Sequence, residues 1–284
     1  MIDVRILFAL VKKEILDGVR NRWIFGVTLI FLLLTLVTSY FGAAGGGGSV
    51  GFQGFRETAG AMGATSQLIV PLLALMLGYA AVAGEREQGS LGLLLSTPLS
   101  RLELLLGKFL GLTAILCVAI LAGYGLAGSV VAALAGTAWW EAYLSLLGAT
   151  ILLGAAFVAI SLLFSSLLQK RSTALGAAVV MWFFFTIIYQ VILIGVYVGT
   201  GGSFQPPGPG ASSATLPAWY WAAELANPSQ AFALFTSKVF STPFGFGGMV
   251  APSFVTPATC LVGLLLWILV PMSLAYGRFR NRDV

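Results

Sequence analysis

One stretch of the sequence, residues 84–108, combines charged and apolar residues in a pattern that could bind a partner protein. It reads GEREQGSLGLLLSTPLSRLELLLGK, with charged side chains at both ends of an apolar run. Pro98 interrupts the run, because proline disfavours the interior of a helix. The pattern predicts a short amphipathic helix that lies across a membrane face and transmits a push from a partner. From these residues alone, an ordinary interfacial loop fits equally well.

The pair Gly107-Lys108 at the end of this stretch invites comparison with the phosphate-binding loop of nucleotide hydrolases. That motif, GxxxxGK[ST], requires glycine at position 102 and serine or threonine at position 109. Leucine and phenylalanine occupy these two positions. The sequence therefore predicts that this chain does not hydrolyse ATP itself.

Residues suited to catalysis or metal binding are scarce. The chain has no histidine, which is the commonest general base and metal ligand, and its two cysteines, Cys117 and Cys260, are far apart in the sequence. We therefore expect no catalytic residue, no metal site and no directly bound cofactor. A dedicated copper conduit is disfavoured because soft metals prefer thiolate, thioether or imidazole ligands. An intramembrane enzyme is disfavoured for the same lack of reactive groups.

The composition indicates a membrane protein. Of the 284 residues, 58% are hydrophobic and 9% are charged, whereas soluble domains carry about a quarter charged residues. A helix needs roughly 20 apolar residues to span a bilayer. The sequence thus predicts an all-α fold with six transmembrane helices in one transmembrane domain, residues 1–284. The predicted spans are residues 23–41, 67–83, 109–134, 143–168, 173–198 and 257–276.

The lysines and arginines give the orientation of these spans. With a cytoplasmic N-terminus, only Arg56 and Lys238 of the 15 basic residues fall outside the cell. This bias follows the positive-inside rule and predicts a multi-pass protein of the cytoplasmic membrane with both termini in the cytoplasm. Because the basic residues follow topology and do not gather on one face, we expect no nucleic-acid partner.

Two segments outside the spans also have interpretable patterns. Residues 1–22 combine charged and apolar residues at helical spacing, which predicts a cytoplasmic amphipathic helix along the membrane interface; a solvated helix is the alternative. Residues 199–256 form the longest exterior loop, in which dense aromatics predict short helices and Asn227-Pro228 predicts a break. An outer gate over a substrate path and a structural cap both fit this loop.

Polar residues in the apolar segments are candidates for a substrate path. They are Gln67, Tyr79, Tyr189 and Gln190. Hydrogen bonding between packed helices is the alternative role of each. No charged residue lies within a predicted span, so we do not expect an ion relay.

The stretch 84–108 resembles the signature of ABC-2 type transporter permeases, through its Glu-rich start, Gly-Ser-Leu, Leu-Leu-Leu-Ser-Thr-Pro, Arg and Gly-Lys. The six predicted spans, the amphipathic N-terminus and the broken segment before the last span are similar to that family too. A narrower resemblance is to the Nos-type permeases, which belong to transporters for the maturation of nitrous oxide reductase and related multi-copper enzymes. The segments that carry it are KKEILDGVRNRW, VPLLALMLGYAAVAGE and Asn227-Pro228-Ser229.

This resemblance implies an ABC-2, type V exporter-like transmembrane domain whose cytoplasmic coupling loop, residues 84–108, docks into a cleft on an ABC ATP-binding subunit. ATP and Mg would be bound by that subunit, two copies of the chain would form a homodimer, and an exterior accessory protein is a further expected partner. The alternative is a mechanotransmitting membrane anchor that acts on an exterior protein without moving a solute. The resemblance assigns coupling to Glu85, Arg86, Glu87, Gly89, Leu91, Pro98 and Arg101.

Overall fold

The computed structural model describes residues 4–20, 22–41, 51–52, 54–89, 99–202, 216–241 and 251–280. The regular structure in these ranges is helical. A π-helical turn, Phe184–Ile188, interrupts the helical stretch Arg171–Gly199. In chain order the helices are α1 Val4–Arg20, α2 Arg22–Phe41, α3 Phe55–Gly78, α4 Ala83–Glu87, α5 Arg101–Ala135, α6 Trp140–Leu167, α7 Arg171–Phe183, α8 Tyr189–Gly199, α9 Ala218–Ala226, α10 Pro228–Phe240 and α11 Pro257–Arg280.

Five helical stretches in the described part of the chain are long and apolar enough to cross a membrane. They correspond to five of the six predicted spans: Phe55–Glu87, Arg101–Ala135, Trp140–Leu167, Arg171–Gly199 and Pro257–Arg280. The remaining predicted span, residues 23–41, falls within α2, a helix of 20 residues whose described apolar stretch is Leu29–Phe41. The all-helical, multi-span architecture agrees with the sequence, whereas the sixth span and the interfacial position of α1 stay predictions.

Two predicted boundaries differ from the observed helices. The second span was expected from residue 67, but α3 begins at Phe55, because Phe55 and Met62 are buried and support its early turns. The third was expected from residue 109, but α5 begins at Arg101 behind a capping box. Ser100 Oγ accepts from the Glu103 amide at 3.2 Å, and Glu103 Oε2 accepts from the Ser100 amide at 2.9 Å. Residues 101–108 are therefore continuous with the helix of the third span.

Helix α6 forms the centre of the described bundle. It packs most extensively against α3 and α11 and also contacts α5 and α10. Its middle, residues 153–162, is buried on every side, as expected for a helix that is apolar all round. Gly154 permits this packing because a Cβ there would collide with the side chain of Leu116 on α5.

Glycines on α5 bring α1 close to it. A Cβ on Gly107 would lie 2.7 Å from Leu10 Cβ, and a Cβ on Gly111 would lie 2.5 Å from Glu14 Cβ. Both pairs repeat after four residues, so one face of α1 runs along one face of α5. The small-residue spacing in the sequence indicates this kind of approach. Gly125 on the same helix has nothing within 4 Å of its Cβ position.

Candidate functional site

A buried lysine joins three helices near the start of the long apolar helices. Lys108 Nζ on α5 lies 2.9 Å from Glu14 Oε1 on α1 and 2.7 Å from Glu85 Oε1 on α4. Its side chain is 2% exposed. Lys13 adds a longer contact of 3.5 Å to Glu85. Two acidic and two basic groups thus balance in charge, which is what allows a lysine to be buried here.

Arg86 binds the end of α6. Its guanidinium donates to the Leu168 carbonyl at 2.9 Å and to the Ser166 carbonyl at 3.4 Å. The last carbonyls of a helix have no partner within the helix and carry partial negative charge, so a guanidinium satisfies them well. Ser165 also joins α6 to the start of α4, because its Oγ accepts hydrogen bonds from the amides of Val82 and Ala83 at 3.0 Å each.

Glu87 binds the start of α7. Its Oε2 accepts from the Arg171 amide at 2.8 Å, a favourable place for an anion because the first amides of a helix are unpaired. The Arg171 guanidinium turns back and donates to the Tyr79 hydroxyl at 3.1 Å. These residues line a crevice beside α4 together with Gln88. Tyr79 therefore belongs to this end of the bundle, away from the other candidate path residues.

Arg101 binds the end of α11. Its Nη1 donates to the carbonyls of Phe279 at 2.6 Å and Arg280 at 3.0 Å. The guanidinium carbon also lies 5.8 Å from the centroid of the Phe279 ring. Arg101 is the first residue of α5, so this contact ties the entry of α5 to the last turn of α11.

We call these contacts of Glu85, Arg86, Glu87 and Arg101 the helix-end network. The resemblance assigns all four side chains to docking and coupling, and in the structure each of them also contacts another helix of the same chain. Gly89 ends this region with a φ of 71°, in the left-handed range that favours glycine. Two further predicted coupling residues, Leu91 and Pro98, lie outside the described residues.

A second polar group connects α8 to α9, and it contains two of the candidate path residues. The Tyr189 hydroxyl donates to the Ala223 carbonyl at 2.6 Å. Gln190 Nε2 donates to Glu224 Oε1 at 3.1 Å and to the Tyr220 hydroxyl at 3.3 Å. We call Tyr189, Gln190, Tyr220 and Glu224 the α8–α9 cluster. Gln67 is a half-buried residue of α3 and is not part of it.

The break between α9 and α10 is bonded to the π-helical turn. Asn227 Nδ2 donates to the Phe185 carbonyl at 2.8 Å, and Asn227 Oδ1 caps α10 by accepting from the Ser229 amide at 2.9 Å. Trp267 on α11 secures the other side by donating to the Ala226 carbonyl at 2.9 Å. The two short helices and their break at Asn227-Pro228 are those the sequence indicates.

Sequence reasoning missed several charged residues of these sites, among them Glu224 and Lys108. Glu224 is 1% exposed, although it falls in the loop that the sequence placed outside the membrane. Glu224 lies four residues after Tyr220, so the sequence places both on one face of a helix, and this spacing is the one feature that could have indicated their contact. Lys108 was considered as a phosphate-loop lysine and as part of the ABC-2 signature but not as an ion-pair partner, because Glu14 is remote from it in the sequence.

Known proteins resemble this chain over nearly its full length. The profile of the family described as ABC-2 family transporter protein matches residues 8–284. The chain belongs to the ABC-2 transporter family. A Pseudomonas aeruginosa protein named "Probable ABC transporter permease protein NosY" is 35% identical over 286 residues, 98% of this chain and 99% of the relative. A Stutzerimonas stutzeri protein of the same name is 34% identical over 279 residues, 95% of this chain and 96% of the relative.

The resemblance read from the sequence is thereby confirmed. This ABC-2 permease is a NosY-like, multi-pass membrane protein of an ABC transporter, and such permeases work with ABC ATP-binding subunits. The matched range contains both the helix-end network and the α8–α9 cluster.

Proposed function

We propose that this ABC-2 permease moves a substrate across the cytoplasmic membrane with ATP hydrolysed by a separate subunit. Both termini lie in the cytoplasm, and residues 84–108 form the coupling element. The observation that carries the proposal is the helix-end network: four charged side chains on either side of residues 90–98 bind α1, α5, α6, α7 and α11. A push on this element therefore reaches most of the bundle.

The network divides the coupling work between two kinds of residue. Leu91 and Pro98 make the direct contact with the ATP-binding subunit, and Gly89 allows the chain to turn towards it. Glu85, Arg86, Glu87 and Arg101 pass the displacement to neighbouring helices. Hydrogen bonds with charged groups contribute about 1.5–3 kcal/mol each, so the four together resist separation while the element moves.

Other parts of the proposal rest on the sequence resemblance and on exposed apolar surface. The long helix Arg171–Gly199 is the least buried of the five candidate spans, which suits contact with lipid or with a second copy in a homodimer. An exterior accessory protein completes the assembly, with a role in metalloenzyme maturation of the nitrous oxide reductase type. The α1 helix lies along the cytoplasmic interface, where its exposed Lys12 is available to the lipid headgroups.

The test compares two arginines that make the same kind of contact at opposite ends of the bundle. Arg101 donates to the last carbonyls of α11, and Arg56 donates to the last carbonyl of α10 at 3.3 Å. The permease and its ATP-binding subunit are co-purified into nanodiscs, and ATP hydrolysis is measured. We expect Arg101→Ala to lose the permease-dependent part of the ATPase rate, and Arg56→Ala to keep it.

A double variant, Arg86→Ala with Arg101→Ala, that still folds and keeps wild-type ATPase stimulation would contradict the proposed coupling. The same preparation distinguishes the alternative function. ATP-dependent movement of the helices without solute flux, together with co-purification of an exterior protein, would favour a mechanotransmitting anchor over a permease that moves a solute.

A further inference from the structure

The Glu224 carboxyl in the α8–α9 cluster is a buried acid without a basic partner. Glu224 is 1% exposed, and no lysine or arginine of the described ranges forms an ion pair with it. Lys238 on α10 is directed to the Ala251 carbonyl. The titratable and charged groups on the helices packed against α9 are Tyr189 and Tyr197 on α8, Lys238 on α10, and Cys260, Tyr276, Arg278 and Arg280 on α11.

Two oxygen atoms of the cluster are buried without a hydrogen-bond partner. They are Glu224 Oε2 and Gln190 Oε1. Leaving a buried polar atom unpaired costs about 1–3 kcal/mol, and more for a charged group. Both atoms belong to groups that are already joined, because Gln190 Nε2 donates to the other carboxyl oxygen, Glu224 Oε1, at 3.1 Å.

The hydrogen bonds of the Gln190 side-chain NH2 group fix which way round the amide lies. Its Nε2 reaches two acceptors, Glu224 Oε1 and the Tyr220 hydroxyl. Reversing the amide would place Gln190 Oε1 against a carboxylate oxygen, two acceptors without a hydrogen between them. With the amide oriented as it is, both unpaired atoms are acceptors, and the Tyr220 hydroxyl, which hydrogen-bonds to the Glu224 carboxyl, leaves these two oxygens without a donor.

We propose that Glu224 and Gln190 form a proton-binding site between α8 and α9, in which the proton is carried on Glu224 Oε2 and donated to Gln190 Oε1. One proton, taken from water, then satisfies both unpaired oxygens and removes the buried charge. The carboxylic acid and the amide form a closed pair with one hydrogen bond in each direction. This inference is independent of the proposed coupling to ATP hydrolysis.

The electrostatics of the site agree with this assignment. Burial raises the pKa of the Glu224 carboxyl, and the hydrogen bonds from Gln190 and Tyr220 oppose that shift in part. A raised pKa means that the folded chain holds the proton more tightly than the unfolded chain. The corresponding stability is complete below the ordinary carboxyl pKa and is lost as the pH rises through the raised value.

Loss of the proton would weaken the contact between α8 and α9. A buried carboxylate would then have no counter-charge, and Gln190 Oε1 would lose its donor. The neighbouring bond from Tyr189 to the Ala223 carbonyl, 2.6 Å long, connects the same two helices. Proton release therefore loosens the α9–α10 segment from α8.

Infrared difference spectroscopy of the full chain in nanodiscs tests the proposal. A protonated carboxyl gives a C=O stretch that shifts in D2O. We expect this band at neutral pH in the wild-type protein, its loss in Glu224→Gln, and its retention in Glu141→Gln, an exposed acid on α6. If Glu224→Gln does not fold, Gln190→Leu gives the answer, because the band should move to higher frequency when its acceptor is removed.

The absence of the band in the wild-type protein at neutral pH would overturn the proposal, and so would a band unchanged in Gln190→Leu. A thermal midpoint that rises with Na⁺ or K⁺ in the wild type, and no longer does so in Glu224→Gln, would also overturn it, because the two oxygens would then bind a metal cation. A proton site instead predicts that Glu224→Gln removes the part of the midpoint's pH dependence that Glu224 contributes, without creating a dependence on either salt.

Discussion

Replacing Lys108 with methionine tests whether the helix-end network stabilises the bundle. Methionine keeps a similar chain length but removes the ammonium group that lies 2.9 Å from Glu14 and 2.7 Å from Glu85. Both carboxylates then stay in place without their main partner. Their side chains are only 14% and 17% exposed, so water can replace the lost contacts only in part.

The expected cost follows from these values. Removing one partner of a buried ion pair costs about 3–5 kcal/mol. Lys13 remains 3.5 Å from Glu85 and compensates one of the two acids in part, which places the expected loss near the lower limit, about 3 kcal/mol. Thermal unfolding of the purified chain in nanodiscs measures the change.

The matched control is Lys12→Met, which removes the same charge from an exposed position on α1. We expect Lys12→Met to lie within about 0.5 kcal/mol of the wild type. Adding Glu14→Gln to Lys108→Met should cost less than the two single changes added together, because the neutral amide no longer needs the lysine. Strict additivity, or a loss in Lys108→Met no larger than that of the control, would refute the role of the network.

Three further predictions concern the helix contacts, each measured by thermal unfolding in nanodiscs. Gly111→Ala should cost about 1–3 kcal/mol of folding stability, because its Cβ would collide with α1. The control, Gly125→Ala, has open space around the new Cβ and should not destabilise the protein. Equal effects of the two changes would contradict the close approach of α1 and α5. Asn227→Ala should cost about 1–3 kcal/mol through an unpaired π-turn carbonyl and a lost cap, and an unchanged midpoint would argue against that bond. Ser165→Ala should cost about 1–3 kcal/mol by leaving two amides at the start of α4 without their acceptor, and a neutral result would show that water replaces it.

The spans could be predicted because lipid imposes one strong requirement. A backbone in the bilayer must satisfy its own hydrogen bonds, so long apolar runs become helices wherever they occur. Five runs in the sequence correspond to such helices. The boundaries were less predictable because they depend on tertiary contacts. Hydropathy places the start of the second span at residue 67, but the buried side chain of Phe55 extends α3 well before it.

The sites were only half predictable, for a related reason. The charged residues around 84–108 were identifiable because charge next to an apolar run is conspicuous. Their partners were not, because Arg86 and Arg101 bind backbone carbonyls, and a carbonyl has no sequence signature. Glu224 was hidden because its burial arises from the fold of α9 against α8, in a segment whose composition indicates an exterior loop.

The helix from Arg171 to Gly199 connects the two sites. Its first amide binds Glu87 in the helix-end network, and Gln190 near its other end binds Glu224. Between them lies the π-helical turn, where the Asn227 side chain holds the Phe185 carbonyl. A π-helical turn can change the register of a helix locally, and coupling between distant sites requires an element with two arrangements. We therefore expect that Glu87→Gln shifts the infrared band of Glu224 only while Asn227 is present. A shift that persists in Glu87→Gln with Asn227→Ala would show that the two sites communicate through another helix.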